Sequence, residues 1–397
     1  MHNGFLRVAA CSPAVAVADI DANITNIIIL TDEAAAVGAR VAVFPEMSIT
    51  GYTCADLFHQ QTLIEAVDRG LRRLLDECNE SLALAVVGAP VIFEGRMYNC
   101  AVMLRRGRVL GVVPKTFLPN YNEFYEKRWF ASAQTVAGEA TVNIAGNRVP
   151  FGTDLIFDVD GVGIGAELCE DLWAPVPPSC RLALSGAEVI VNLSASDDII
   201  GKYEYLRSLI AQQSARCLAA YVYASAGYGE SSTDLVFDGK TVICENGRIL
   251  AEGDRHTAGN KLQIADIDID AIRRDRMHNI TFGDCAAANA SAVRRITCSS
   301  DMSDKSDPSD KSDATLLRTV DPHPFVPADK RHLAERCRDI IHIQSRGLRR
   351  RLDAIRCKSL VVGISGGLDS TLALLVAVDA FDEAGLDRRG IVGVTMP

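Results

Sequence analysis

The chain has 397 residues, more than one ordinary domain needs and enough for two. Its 51 acidic residues against 41 basic ones give a net charge of −10, which argues against a sequence-independent nucleic-acid binder or a protein of anionic membrane surfaces. With 48% hydrophobic and 23% charged residues, the composition excludes global disorder.

At the N-terminus an apolar run interrupted by Arg7 soon meets Asp19 and Asp21, a pattern unlike a secretory leader. No apolar run of about 18 residues occurs, so no bilayer-spanning helix is expected. Twelve cysteines are scattered singly, without a CxxC pair or a Cys/His cluster at zinc spacing. They read as reduced thiols of a cytoplasmic protein, not as a disulfide framework or a structural zinc site.

From about residue 5 to 290, short apolar strands alternate with longer helical stretches. Strands are expected at Val41–Phe44, Leu84–Val87, Ala101–Leu104, Val162–Gly165, Val189–Leu193, Ala220–Ala224 and Thr241–Cys244. Helical periodicity marks Asp19–Val37, Leu63–Cys78 and Tyr203–Leu218. This alternation predicts one α/β layered domain over residues 1–290. A low-complexity segment follows within 291–320, where Ser299–Ala314 is almost wholly Ser, Asp, Lys and Pro and reads as a solvated linker.

Residues 321–397 form a second region. DPHPFVPAD (321–329) gives an extended lead-in, Lys330–Ile355 a basic amphipathic helix, and Ser359–Ile364 a buried-type strand. Ser365–Ser370 is a glycine-containing turn, Thr371–Ala384 a helix, and Ile391–Thr395 another strand. A strand–loop–helix–strand unit is how a doubly wound nucleotide-binding domain begins, so this domain is expected to be truncated.

Three residues of the first domain stand at expected strand ends, where loops on a rigid sheet carry chemistry: Glu46 in Phe-Pro-Glu, Lys115 in Pro-Lys, and Cys169 after a glycine-rich strand. Together they suit amide hydrolysis. A free thiol with pKa ~8.5 is only slightly ionised at neutral pH, so an ammonium that favours the thiolate and a carboxylate that takes the proton would activate it. The same lysine can face the oxyanion of a tetrahedral intermediate, and the same glutamate can protonate the leaving ammonia. None of the seven histidines lies in a comparable context, which disfavours a Cys–His mechanism.

The segments FPEMSITGY (44–52), PKTFLPNYNEFYEKRWF (114–130) and ELCEDLW (167–173) resemble the Glu–Lys–Cys motifs of the nitrilase superfamily, specifically its glutamine-amidohydrolase branch. The resemblance covers most of residues 5–290. It implies an α-β-β-α sandwich and a homo-oligomer, with Cys169 as nucleophile, Glu46 as general base and acid, and Lys115 as stabiliser of thiolate and oxyanion. Glu126 matches a second, supporting glutamate, with Glu123 as the alternative should the loop slip. Tyr121, Glu170, Ser196 and Lys202 are implied in holding glutamine. Asp197 departs from the neutral residue that the family usually carries and adds negative charge at this subsite.

Near the end, Gly363-Ile364-Ser365-Gly366-Gly367-Leu368-Asp369-Ser370 joins a strand to a helix. Backbone N–H groups at such a junction attract anions, the glycines permit close approach, and the two serines add hydroxyl donors. Asp369 is a candidate ligand for Mg²⁺. The string lacks a Walker lysine and resembles the PP-loop of ATP pyrophosphatases, which implies ATP as the bound nucleotide. The whole order then resembles the family of glutamine-dependent NAD⁺ synthetases. In that family, ammonia from glutamine passes to a second domain where ATP and Mg²⁺ activate deamido-NAD⁺ for amidation. Because 27 residues follow Ser370, this chain is expected to be competent at most for the glutaminase half. Two alternatives stay open: a nitrilase-type hydrolase of another small amide or carbamoyl compound, and a non-catalytic subunit of an oligomer.

Overall fold

The computed structural model describes residues 3–81, 83–289, 291–298, 315–327 and 329–395. The Ser/Asp run at 299–314 lies outside the described residues. The chain divides into two compact units, Met1–Arg318 and Thr319–Pro397.

The first unit is built on two sheets. One joins β1 (Phe5–Ser12), β2 (Val41–Val43), β3 (Leu84–Phe93), β4 (Arg96–Arg105), β5 (Arg108–Pro114), β6 (Ala140–Ile144), β7 (Asn147–Phe151) and β14 (Lys261–Asp268) in the order β14-β1-β2-β3-β4-β5-β7-β6. The other joins β8 (Leu155–Val159), β9 (Val162–Leu168), β10 (Val189–Ser194), β11 (Ala220–Ser225), β12 (Thr241–Glu245), β13 (Arg248–Glu252) and β15 (Arg294–Thr297) in the order β13-β12-β11-β10-β9-β8-β15. Helices α1 (Ile20–Ala36), α2 (Gln61–Glu77), α3 (Pro178–Leu184), α4 (Lys202–Cys217), α5 (Ile269–His278) and α6 (Ile280–Ala288) complete the unit.

The two-residue period of the strands sorts their side chains. Leu6, Val8, Val41, Val43, Val86, Val162, Ile164, Val189, Val191 and Val222 meet in the core between the sheets. Their neighbours Ala9, Cys11, Ala42 and Val87 face outward to pack with Ile24, Ile27, Leu71 and Leu74 of α1 and α2. Ile190, Tyr221 and Tyr223 do the same against Leu182, Leu206 and Ile210 of α3 and α4. The result is an α-β-β-α sandwich, and strands covered on both faces read as continuous apolar runs for that reason.

The expected elements fall within three residues of the observed ones, except at β3 and β4 and at one strand inside the segment read as linker. β3 and β4 run ten residues each because the Glu94–Gly95 turn continues their antiparallel pairing past the apolar patches. Arg294–Thr297, inside the segment read as linker, is strand: it pairs in parallel with Leu155–Asp158, and the Arg294 guanidinium lies 2.6 Å from Asp154. Past the undescribed run, Leu317 N–H donates to Asp266 (2.6 Å) and Arg318 forks onto Glu245, both in the first unit.

The second unit comprises α7 (Lys330–Ile355), β16 (Leu360–Gly363), α8 (Leu368–Ala384) and β17 (Ile391–Val394). β16 and β17 pair in parallel, and α8 buries Val376, Ala377, Ala380 and Phe381. The strand that its apolar run suggested to be buried on both faces is not: Val361 is 70% exposed. Gly367 caps α8, so the helix opens at Leu368, three residues before the position expected. Among the described residues, no helix is long and apolar enough to cross a membrane.

Candidate active site

The site grows from the C-terminal ends of β2, β5, β9 and β10. After β2 the chain turns through Pro45, and the Glu46 N–H donates to Ser194 O (3.2 Å) at the end of β10, linking the two sheets. Gly88 on β3 allows this crossing, because a Cβ there would overlap the backbone of Pro45 and Met47. Lys115 follows β5, its N–H donating to Asn99 O (2.8 Å) on β4. Cys169 follows β9 at φ +42°, a left-handed conformation that costs a non-glycine residue about 1–2 kcal/mol and turns the chain sharply at the thiol.

These segments bring Glu46, Lys115, Glu126 and Cys169 into one buried cluster, none of the four more than 6% exposed. Lys115 Nζ lies 2.7 Å from Glu46 Oε1 and 2.6 Å from Glu126 Oε1. The Tyr52 hydroxyl donates to Glu126 Oε1 (2.8 Å), the Ala195 N–H to Glu46 Oε2 (2.9 Å), and Asn99 Nδ2 to Glu46 Oε1. Of the two glutamates weighed for the supporting role, Glu126 contacts Lys115 and Glu123 does not through any described bond.

Burial works against the Lys115 ammonium, but Glu126 and Glu46 more than restore it and hold it well above the ordinary lysine value. Burial lifts Glu126, Lys115 opposes and Glu46 adds, with a net rise to about 7. Burial and Glu46 push the Cys169 thiol well up, against the pull of Lys115. The sequence led us to expect an ammonium that favours the thiolate; burial first, and then the carboxylates beside that ammonium, outweigh it. The resting sulfur is a thiol, so its proton must leave as it attacks.

Tyr52 offers a direct check on this balance. Its hydrogen bond lowers the Glu126 pKa, so Tyr52→Phe raises it further. In that variant the Glu126 carboxyl should titrate higher by about one pH unit. Following the carboxyl carbon by NMR across a pH series in both chains measures this.

Around the cluster, Tyr121 is half exposed and its hydroxyl donates to Glu170 Oε1 (2.8 Å). Lys202, the first residue of α4, sits 5.5 Å from the centre of the Phe124 ring and forms an ion pair with Asp197. Ser196 is buried; its N–H donates to Ser225 Oγ (3.2 Å) and its carbonyl accepts from Lys240 Nζ (3.3 Å). The Asp197 charge that departs from the family pattern is thus neutralised by Lys202. Nearby, Asp198, Asp238 and His256 converge, but Lys240 lies 2.8 Å and Arg255 2.8 Å from the Asp238 carboxylate, supplying the positive charge that a metal ion would bring.

In the second unit, Gly366 takes φ +84°, and a Cβ at Gly363 or Gly366 would meet nothing within 4 Å. Ser365 and Ser370 hydroxyls lie 3.3 Å apart across this open turn, and Leu368, Asp369 and Ser370 form the first turn of α8.

A family profile described as Carbon-nitrogen hydrolase matches residues 7–277. The chain belongs to the carbon–nitrogen hydrolase family. A second profile, NAD synthase, matches residues 340–397. A glutamine-dependent NAD(+) synthetase of Mycobacterium bovis is 44% identical over 399 residues, an alignment that takes in 100% of this chain but 58% of that protein. Among solved structures, a glutamine-dependent NAD(+) synthetase from Cytophaga hutchinsonii aligns with 96% of this chain and 52% of its own (TM-score 0.58, 24% identity). That from Acinetobacter baumannii, in complex with ADP, aligns with 99% of this chain and 60% of its own (TM-score 0.57, 22% identity). At those identities the structural likeness speaks to the fold, which in the first unit is that of the nitrilase superfamily.

Several residues that hold this hydrolase site together were missed from sequence. Asp171 accepts N–H bonds from Leu168 (3.0 Å), Thr116 (3.1 Å) and Phe117 (2.7 Å), fastening the Lys115 loop to the Cys169 turn. Burial and Glu167 lift its carboxyl to about 8. Asn192 accepts the Cys169 N–H (3.2 Å), and Asn99 and Tyr52 bond the two glutamates. Asn99, Glu167 and Asn192 did carry a signal: each is a polar residue inside an otherwise apolar strand, where burial requires a partner.

Proposed function

We propose that the first unit hydrolyses the side-chain amide of glutamine to glutamate and ammonia through a thioester on Cys169. The observation that carries this reading is the buried Lys115 ammonium clamped between Glu46 and Glu126 beside that thiol. Glu46 takes the thiol proton while sulfur attacks the amide carbon, and Lys115 faces the oxygen on which charge develops. The C–N bond then breaks, with Glu46 returning its proton to the departing ammonia. Water, deprotonated by Glu46, attacks the thioester and frees glutamate and the thiol. Glu126 keeps Lys115 charged and in place. Lys202 and Ser196 suit the substrate's α-carboxylate, and Glu170, steadied by Tyr121, suits its ammonium.

The second unit supports an onward step, the use of that ammonia in ATP-dependent amidation of deamido-NAD⁺ to NAD⁺. Residues 363–370 would receive ATP phosphates, and Asp369 suits Mg²⁺, whose charge would offset that of the phosphates. The proposal extends to the complete enzyme of this family as a cytoplasmic homo-oligomer; the free thiols of the chain suit a reducing compartment. Asp369→Ala should weaken Mg·ATP binding about tenfold, or about 1.4 kcal/mol, and leave ammonia release unchanged. Titration calorimetry beside an ammonia assay checks both halves.

Ammonia release from glutamine, asparagine and carbamoyl compounds tests the substrate directly. Glutamine should be preferred, and 6-diazo-5-oxo-norleucine should label Cys169 by mass spectrometry. Labelling elsewhere, or a faster carbamoyl substrate, would replace this reading with that of another amide hydrolase.

A further inference from the structure

On the side of β9 that faces α3 and α4, two free thiols share one amide group. Gln213 Nε2 lies 3.3 Å from Cys180 Sγ and 3.2 Å from Cys217 Sγ, and donates to Ser179 Oγ (2.9 Å). Cys217 Sγ also approaches Ser179 O (3.8 Å). Cys180, the third residue of α3, is partly exposed, while Cys217, the last of α4, is buried. Hydrogen bonds from Cys217 and Gln213, together with the Arg216 guanidinium, hold the Cys180 thiol below its usual range, and the same contact pushes Cys217 up. An accessible, acidic thiol beside a buried, protonated one is the arrangement of an attacking and a resolving cysteine.

This pair is also wired to the turn at Cys169. The Ser179 N–H donates to Glu167 Oε2 (2.7 Å), and Glu167 accepts from the Tyr221 hydroxyl. That hydroxyl accepts from Asn192 Nδ2 (2.9 Å), whose Oδ1 accepts the Cys169 N–H (3.2 Å). Glu167, Asn192 and Tyr221 are all buried, so a shift of Ser179 has no solvent into which to relax.

We propose that Cys180 and Cys217 form a reversible disulfide on exposure to hydrogen peroxide, and that closing it lowers the reactivity of Cys169 through the Ser179–Glu167–Tyr221–Asn192 chain. The Cys180 thiolate attacks one peroxide oxygen; the O–O bond breaks, leaving a sulfenic acid and, after protonation, water. The Cys217 sulfur then displaces the sulfenic oxygen, and the S–S bond forms. Its proton and the displaced hydroxide leave as a second water. Two thiols are oxidised by two electrons and one peroxide is reduced to two waters; a dithiol reductant reverses the change.

Trypsin leaves Cys169 and Cys180 in one peptide, residues 149–181, and Cys217 in another, residues 217–240. Peroxide-treated Cys169→Ala chain therefore reports on the pair without ambiguity: the two peptides should appear joined, and separate after dithiothreitol. Over-oxidised Cys180 with free Cys217, or two unmodified thiols, overturns the bridge. The second arm follows alkylation of Cys169 by iodoacetamide after peroxide is removed, in the unaltered chain and in Cys180→Ser, with melting curves to verify folding. The unaltered chain should lose about fivefold in rate, regained with dithiothreitol, and Cys180→Ser should not. Equal losses in both assign the effect to Cys169 itself and overturn the coupling.

Discussion

Replacing Cys169 by alanine should reduce ammonia release from glutamine by at least about 10⁴-fold, the scale seen when a hydrolase loses its nucleophile. No neighbouring group substitutes for the sulfur: Glu46 and Glu126 are both committed to Lys115. The fold should tolerate the change, because alanine accepts the same left-handed backbone at the same small cost and loses one half of a thiol–carboxylate contact that is unfavourable to ionisation. Glutamine turnover, trapping of the labelled thioester and a melting curve test the separation between chemistry and stability. A variant that still releases ammonia at a measurable fraction of the original rate would remove Cys169 from the reaction.

A larger structural penalty is expected from Lys115→Met. Methionine fills much of the lysine's volume but leaves Glu46 and Glu126 facing each other without a cation, and breaking a buried ion pair from one side costs about 3–5 kcal/mol. The loss should depend on pH in a defined direction. Removing the ammonium takes away the charge that holds Glu126 down, so its carboxyl stands further above its unfolded value in the folded chain. A carboxyl that binds its proton more tightly when folded stabilises at low pH and loses that contribution as pH rises through the folded value. Melting temperatures should therefore fall further below those of the unaltered chain at pH 8 than at pH 5. Activity should be lost at every pH. Equal melting losses at both values would mean that lost packing, not uncompensated charge, dominates.

How far the sequence can be read depends on what kind of contact places each residue. The strands carrying Glu46, Lys115 and Cys169 were legible because both sheet faces are covered, so each strand is an apolar run with a chemically distinct residue at its end. The convergence of these ends was not legible from spacing; it arises from sheet order, in which β2 and β10 sit opposite each other and the Glu46 N–H reaches Ser194. The sign of the thiol's shift was also hidden, since it depends first on how deeply the sulfur is buried and then on two carboxylates flanking one ammonium. Asp171 was in plain view beside Cys169, but its role is to collect backbone N–H groups from a loop more than fifty residues away in sequence, and nothing local announces that. Arg294–Thr297 failed for a simpler reason: a four-residue edge strand with two arginines has too little apolar periodicity to distinguish it from linker.

That short strand bears on where an autonomous hydrolase fragment can be cut. β15 is the outermost member of its sheet and shields the open edge of β8, whose sequence Leu-Ile-Phe-Asp-Val is mostly buried and apolar. A fragment ending at residue 290 would leave those N–H and C=O groups unpaired and offer a template for another chain. One ending at 318 retains β15 and the Arg318 fork onto Glu245. Light scattering should find the shorter piece in growing, polydisperse particles and the longer one at a fixed size, so the residues that carry β15 and Arg318 decide whether the first unit keeps a fixed size or seeds self-association.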